Sequence, residues 1–196
     1  MPDQALPSLL ATVHTCTVCA PHLAAGPRPL VQCGRTARIV IIGQAPGARA
    51  HASGVPWDDA SGVRLRDWTG LDAATFYDPD QVAIVPMGFC YPGRRKGGDL
   101  PPRPECAPLW HDRLLAELPE VRLTLLVGGY AQHRYLPAMR RESLTEVVRR
   151  FGELDPGTLP LPHPAWRSSH WMARNPWFEA DLLPVLRDRI AAALPA

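Results

Sequence analysis

Three short stretches of the sequence hold residue types able to break a bond beside a bound ring. In Gly43-Gln44-Ala45-Pro46-Gly47, two glycines and a proline directly follow an apolar run. Such a turn is tight, and its amide groups can point at a ligand. The same pattern also makes an ordinary strand-to-helix turn. In Gly54-Val55-Pro56-Trp57-Asp58-Asp59-Ala60-Ser61-Gly62, an aromatic ring stands beside two carboxylates inside a glycine-bounded loop. That arrangement suits a stacked base and a positioned water, or equally an Asp/Ser helix cap with Trp57 packed nearby. The third stretch, residues 161–171, holds His163 between two prolines and then supplies Trp166, Arg167, Ser168 and Ser169. A rigidly presented imidazole can hydrogen-bond an oxygen that gains negative charge. Arginine and hydroxyls suit phosphate. His14, His22, His51, His111 and His133 have no comparable context.

The thiols form a second group. Cys16, Cys19, Cys33, Cys90 and Cys106 are odd in number, and no secretory signal precedes them, which argues against a disulfide framework. Cluster or metal ligation is the alternative. Cys16 and Cys19 make a CxxC pair, and a Pro-rich loop separates Cys90 from Cys106. A Cys₄ zinc site and plain burial stay open on the residues alone. Cys33 fits no ligand pattern and reads as a core residue.

These residues need a frame. At 196 residues, with 46% apolar content, the chain suits one domain, 1–196, with a proper core. It has no run of 18 apolar residues and no signal-like start, so a cytoplasmic protein without a membrane partner is expected. The net charge of +2 favours no partner. Of 21 basic residues only Lys96 is lysine, a bias that GC-rich coding explains as well as phosphate binding does. The cluster Arg94-Arg95-Lys96, in a Gly/Pro-rich loop, is a local positive patch.

Four β-like runs are read: residues 38–42, 82–85, 123–127 and, more weakly because of its prolines, 158–161. Helical patterns alternate with them at 65–71, 105–118, 130–136 and 144–151. A last helix is expected with Asn175 as N-cap, Pro176 at the first position, and Phe178, Leu182, Leu186 and Ile190 on one face. Pro184 should kink or shorten it. The expected class is α/β: a three-layer α-β-α sandwich around a short, mainly parallel four-stranded sheet. Ligands of such sheets sit at the carboxyl ends of the strands, where all three loops fall.

Together the loops resemble the uracil-DNA glycosylase superfamily. GQAPG looks like its first motif, HPAWRSS like its last, and GVPWDDASG like the segment that stacks the target base in the iron–sulfur branches, families four and five. The resemblance runs from about Cys16 to the final helix. It implies a DNA repair glycosylase acting on uracil or another deaminated base. It implies a [4Fe–4S] cluster on Cys16, Cys19, Cys90 and Cys106, with zinc as the alternative. The departures are Ala45 and Gln44 where related enzymes have acidic residues, and Pro86 where a base-reading Asn is usual. Asp59 in DDASG matches the acidic residue of a second iron–sulfur branch.

On this reading His163, Asp59 and Gln44 are catalytic. Gly43, Ala45, Trp57 and Pro86 bind the base, and Trp166, Arg167, Ser168 and Ser169 meet DNA. The expected partner is damaged DNA, single- or double-stranded, and the expected state is a monomer. Two rivals stand beside it: a DNA-binding module of the same fold without catalysis, and an α/β enzyme acting on free nucleotides.

Overall fold

The computed structural model describes residues 5–96, 98–165 and 168–194. Its centre is a parallel four-stranded sheet in the order β2-β1-β5-β6, built from β1 (Ile39–Ile42), β2 (Val82–Ile84), β5 (Leu123–Val127) and β6 (Thr158–Leu161). The four runs read from sequence are these four strands. β1 is apolar at every position because both of its faces are covered, as expected for an interior parallel strand. Ile39 and Ile41 face one half of the core; Val40 and Ile42 face the other.

The first half of the core is closed by α3 (Ala60–Thr69) and α9 (Leu183–Ala193), whose Leu65, Trp68, Leu186 and Ile190 pack on the strands. Trp68 and Phe178 meet edge to face at 4.9 Å. The second half is closed by α1 (Ala5–His14), α5 (Asp112–Ala116) and α6 (Gly129–Tyr135), through Leu6, Leu9, Val13, Leu114 and Ala131. Shorter helices α2 (Ala48–Ser53), α4 (Ala73–Phe76), α7 (Leu144–Arg149) and α8 (Ser168–Arg174) fill the connections. The expected α-β-α sandwich is therefore present, with Cys33 in its core.

Prolines shape three elements. Pro160 lies in β6, which among the described residues pairs only with β5, so its missing N–H leaves no ladder bond unmade on the outer side. Pro108 lies inside a π-helical turn, Ala107–His111, that leads into α5. Pro184 lies in the first turn of α9, just after a second π-helical turn, Phe178–Leu182. A proline in a first turn forfeits no intrahelical bond, and the widened turn makes room for its ring. The last helix thus starts later than Pro176. Asn175 does not cap it; its carbonyl accepts from the Phe178 N–H at 3.0 Å and its side chain from the Trp177 indole at 3.1 Å.

Two features have no counterpart in the sequence reading. A small antiparallel hairpin, β3 (Arg94–Arg95) with β4 (Gly98–Asp99), rises from the β2–α5 connection. Residues 30–32 run along β2: Gln32 and Ile84 exchange backbone bonds of 3.0 and 2.7 Å, and Gln32 adds a side-chain bond to the Val82 carbonyl at 2.7 Å. This covers the edge that β2 would otherwise expose.

Candidate active site

A cleft of about 700 Å³ opens at the carboxyl ends of the strands, lined by Gln44, Ala45, Trp57, Asp59, Pro86 and His163, among others. β1 and β5 lie side by side, while the chain runs from β1 outward to β2. The cleft therefore sits where the strand order reverses, the usual ligand position of open α/β sheets.

Its floor begins with the loop after β1. The carbonyls of Gly43 and Gln44 accept from the amides of Met87 and Gly88, each at 2.9 Å, so this loop is stapled to the one after β2. Gly43 must be glycine for a packing reason: a Cβ there would come within 2.7 Å of the Trp57 ring. Trp57 has φ 58°, the one positive value outside glycine among the described residues. A non-glycine residue in this region is uncommon and costs of order 1–3 kcal/mol. Its surroundings hold it there. The Trp57 carbonyl lies only 1.7 Å from where a Gly62 Cβ would stand, and the Tyr77 hydroxyl donates to it at 3.4 Å. Tyr77 in turn accepts from Arg66 at 3.0 Å.

The pinned indole faces His163, with ring centroids 5.7 Å apart and a tilt of 33°. His163 lies beside Gly128: a Cβ built there would stand 3.4 Å from the His163 Cβ, and the φ of +88° is one that favours glycine. The His163 loop is braced at both ends. Arg64 donates to the Ala165 carbonyl at 2.6 Å, and the Ser168 hydroxyl donates to the His163 carbonyl. Burial holds the imidazole below the ordinary histidine range, against the opposing pull of Asp59 and Asp99. At neutral pH it is uncharged and can still donate one N–H.

Asp59 does two things. Its Oδ1 caps α3 by accepting from the Gly62 N–H at 2.9 Å, while its Oδ2 turns toward Gly47. Both readings of this residue, cap and cleft carboxylate, are thus realised in one side chain. Ser168 departs from expectation. It is buried and its hydroxyl is committed to the His163 loop, so it positions the histidine instead of offering itself to phosphate. Ser169 is exposed. Trp166 and Arg167 lie outside the described residues.

The family model of the uracil DNA glycosylase superfamily matches residues 31–187, four-fifths of the chain and all four sheet strands. The chain belongs to that superfamily. Two features of this glycosylase-superfamily chain carry no signal in sequence. Asp99, on β4, lines the same cleft. His111, fully buried, has Nε2 3.0 Å from the Pro86 carbonyl and Nδ1 2.7 Å from the Tyr135 hydroxyl. The carbonyl only accepts, so Nε2 carries the proton and Tyr135 donates to Nδ1. His111 thereby fixes the Pro86 segment of the cleft from behind. Another cavity, about 230 Å³ between the sheet and Leu115, Tyr135 and Leu136, shares no lining residue with the cleft.

The family match begins after Cys16 and Cys19. In space these two nonetheless meet Cys90 and Cys106 around one small apolar cavity, closed by Leu23, Phe89 and Trp110. Among the described residues no three His, Cys, Asp or Glu side chains already stand as a metal-ligand group. The backbone thus gathers the four cysteines, while their side chains do not close on a common centre. Burial pushes the Cys90 thiol up, and the Cys106 thiol to about 12. Cys19 is raised by burial and by Glu105, whose carboxylate lies 3.6 Å from its sulfur. Glu105 is itself held to about 2 by the Arg103 guanidinium. The indole Nε1 of Trp110 is buried without a partner among the described residues.

Proposed function

We propose that this protein is a DNA glycosylase that hydrolyses the N-glycosidic bond of uracil or another deaminated base. The observation that carries this reading is the convergence of a pinned Trp57, a neutral His163 and the Asp59 carboxylate in one cleft at the strand ends. A base inside a duplex is closed to attack, so it must leave the stack and enter a pocket. Trp57 supplies a face for the extruded base. His163 donates to a base oxygen as that oxygen gains charge, joined by the Gln44 and Ala45 amides on the other edge. Asp59, whose Oδ2 turns into the cleft beside Gly47, stabilises the cationic sugar and orients water on this reading. Pro86, with no side-chain amide, leaves the base edge unread, so discrimination among uracil, hypoxanthine and xanthine is loose.

DNA contact falls to the exposed Arg94, Arg95 and Lys96 on the hairpin at the cleft mouth, and to Ser169. Trp166 and Arg167 are assigned to the gap left in the duplex.

The four cysteines are proposed to hold a [4Fe–4S] cluster. Two observations support the fit: the four cysteines line one small apolar cavity, and the orphaned Trp110 N–H in its wall is a donor suited to sulfur. When bound, the cluster would tie the N-terminal segment to the loop after β2, a structural crosslink with one thiolate per iron. The protein purified without air should be brown and contain iron and sulfide. Stoichiometric zinc alone replaces the cluster by the Cys₄ alternative.

Release of base from oligonucleotides carrying one uracil, hypoxanthine or xanthine tests the activity. Duplex binding with no release of any base would instead favour a non-catalytic DNA-binding module, the reading that Ala45 in the usual carboxylate position supports.

A further inference from the structure

We propose that Asp99 is a second catalytic carboxylate, sharing the attacking water with Asp59; this rests on the glycosylase reading above. Asp99 closes the β3–β4 hairpin and lines the cleft together with Gln44, Trp57, Asp59 and His163. Its Oδ2 lies 3.6 Å from the point where a Gly47 Cβ would stand, and Asp59 Oδ2 lies 3.4 Å from the same point. Two carboxylate oxygens from different parts of the chain therefore converge over one glycine that offers no side chain to separate them. Both also act on the His163 imidazole.

Their commitments differ. Asp59 spends Oδ1 on the α3 cap. Asp99, among the described residues, has no hydrogen-bond or ion-pair partner, and it is exposed to the cleft mouth. Asp99, exposed in the wall of the cleft and without a side-chain partner among the described residues, is free to face the deoxyribose of a base held against Trp57.

The chemistry asks for such a group. In the hydrolysis, the bond from C1′ to the base nitrogen breaks and both electrons leave with the base, whose oxygen His163 holds. The water oxygen bonds to C1′. One water proton passes to the Asp99 carboxylate and from there to solvent, and the departing base anion takes a proton from solvent. A water has two hydrogens to give. Asp59 Oδ2 and Asp99 Oδ2 can each accept one, which turns a lone pair toward C1′, and both negative charges favour the cationic sugar. Asp59 is limited by its cap to one free oxygen, so Asp99 is the group left to take the proton.

The test uses the intact protein at saturating concentration over DNA that carries the base it removes fastest. Asp99→Asn should slow the single-turnover rate about 100-fold. Its affinity for DNA containing non-cleavable 2′-fluorinated deoxyuridine should be unchanged or tighter, because a negative charge near the backbone is gone. The melting temperature should be unchanged, and Asp99→Glu should recover part of the rate. Asp59→Asn combined with Asp99→Asn should fall less than the product of the two single losses, since both act on one water. A rate within threefold of wild type overturns the proposal. So does a loss that only mirrors weaker binding or a lower melting temperature. Wild-type protein inert on every base overturns the glycosylase reading, and this assignment with it, and that outcome is visible before any variant is made.

Discussion

The chemistry of single residues turns on how little freedom the cleft leaves them. Trp57 is held in a left-handed backbone setting from three directions, by Gly43, Gly62 and Tyr77. Gly43→Ala should therefore act at a distance from its own backbone, which is ordinary. The added methyl must push the Trp57 ring, and base release should drop about tenfold or more while the fold persists, read as kcat against melting temperature. His163 and Asp59 carry the charge development. His163→Ala and Asp59→Asn should each lower the single-turnover rate on the order of 10²–10³-fold, with Asp58→Asn milder. Full activity in Asp59→Asn would pass the role to Asp58 or Gln44. His163 was legible in sequence because two prolines frame it, and Trp57 because carboxylates follow it. Asp99 was not, since it lies in a Gly/Pro-rich loop with no periodicity to say which way it faces. His111 was not either: a histidine in an apolar run gives no sign that its two ring nitrogens are both engaged.

Elements place these residues, and their legibility follows how each is stabilised. The four strands are mostly apolar runs followed within two residues by glycine or proline, a pattern that burial on both faces imposes on the sequence itself. The β3–β4 hairpin consists of two residues a side, arginines and a glycine among them, so nothing apolar announces it. The π-helical turns at 107–111 and 178–182 are set by prolines whose effect depends on which turn they occupy, and this blurred the start of the last helix. One buried polar contact joins α6 to the sheet just below the His163 loop: Gln132 Nε2 donates to the Leu161 carbonyl at 2.8 Å and to Leu126 at 3.3 Å. Gln132→Leu keeps the volume but deletes the donor. It should lower unfolding free energy by about 1–2 kcal/mol in denaturant melts and shift the His163 loop enough to reduce activity. A variant as stable and active as wild type would mean that α6 is held by packing alone.

At the scale of the whole molecule, acid should reach the fold through its interior. Unfolded, His111 takes up a proton near 6.5; folded, burial delays this to about 4. Its contribution is complete above pH 6.5, is lost as the pH falls through that window, and is gone by about pH 4. It amounts to roughly 3 kcal/mol. Urea midpoints measured across this range should decline in wild type and decline less steeply in His111→Gln; equal slopes would show that other groups govern the acid limb. The α-β-α layering was legible because strand and helix patterns alternate along the chain. Why the CxxC segment comes to rest beside Cys90 and Cys106 was not derivable from spacing, because it depends on residues 30–32 running along β2.

The sheet order sets a timetable for synthesis. β1 is apolar on both faces, its neighbour β2 is made soon after it, but its other neighbour is β5, at residues 123–127. A ribosome adds about 5–20 residues per second, so β1 waits for seconds with one side open before β5 leaves the tunnel. During that interval Ile39-Val40-Ile41-Ile42 is an uncharged strand with one edge unpaired, the kind of segment that recruits other nascent chains. The same parallel pairing that places the cleft beside β1 therefore leaves the newborn polypeptide open to aggregation, and expression at low temperature, which weakens apolar association, should raise the soluble yield.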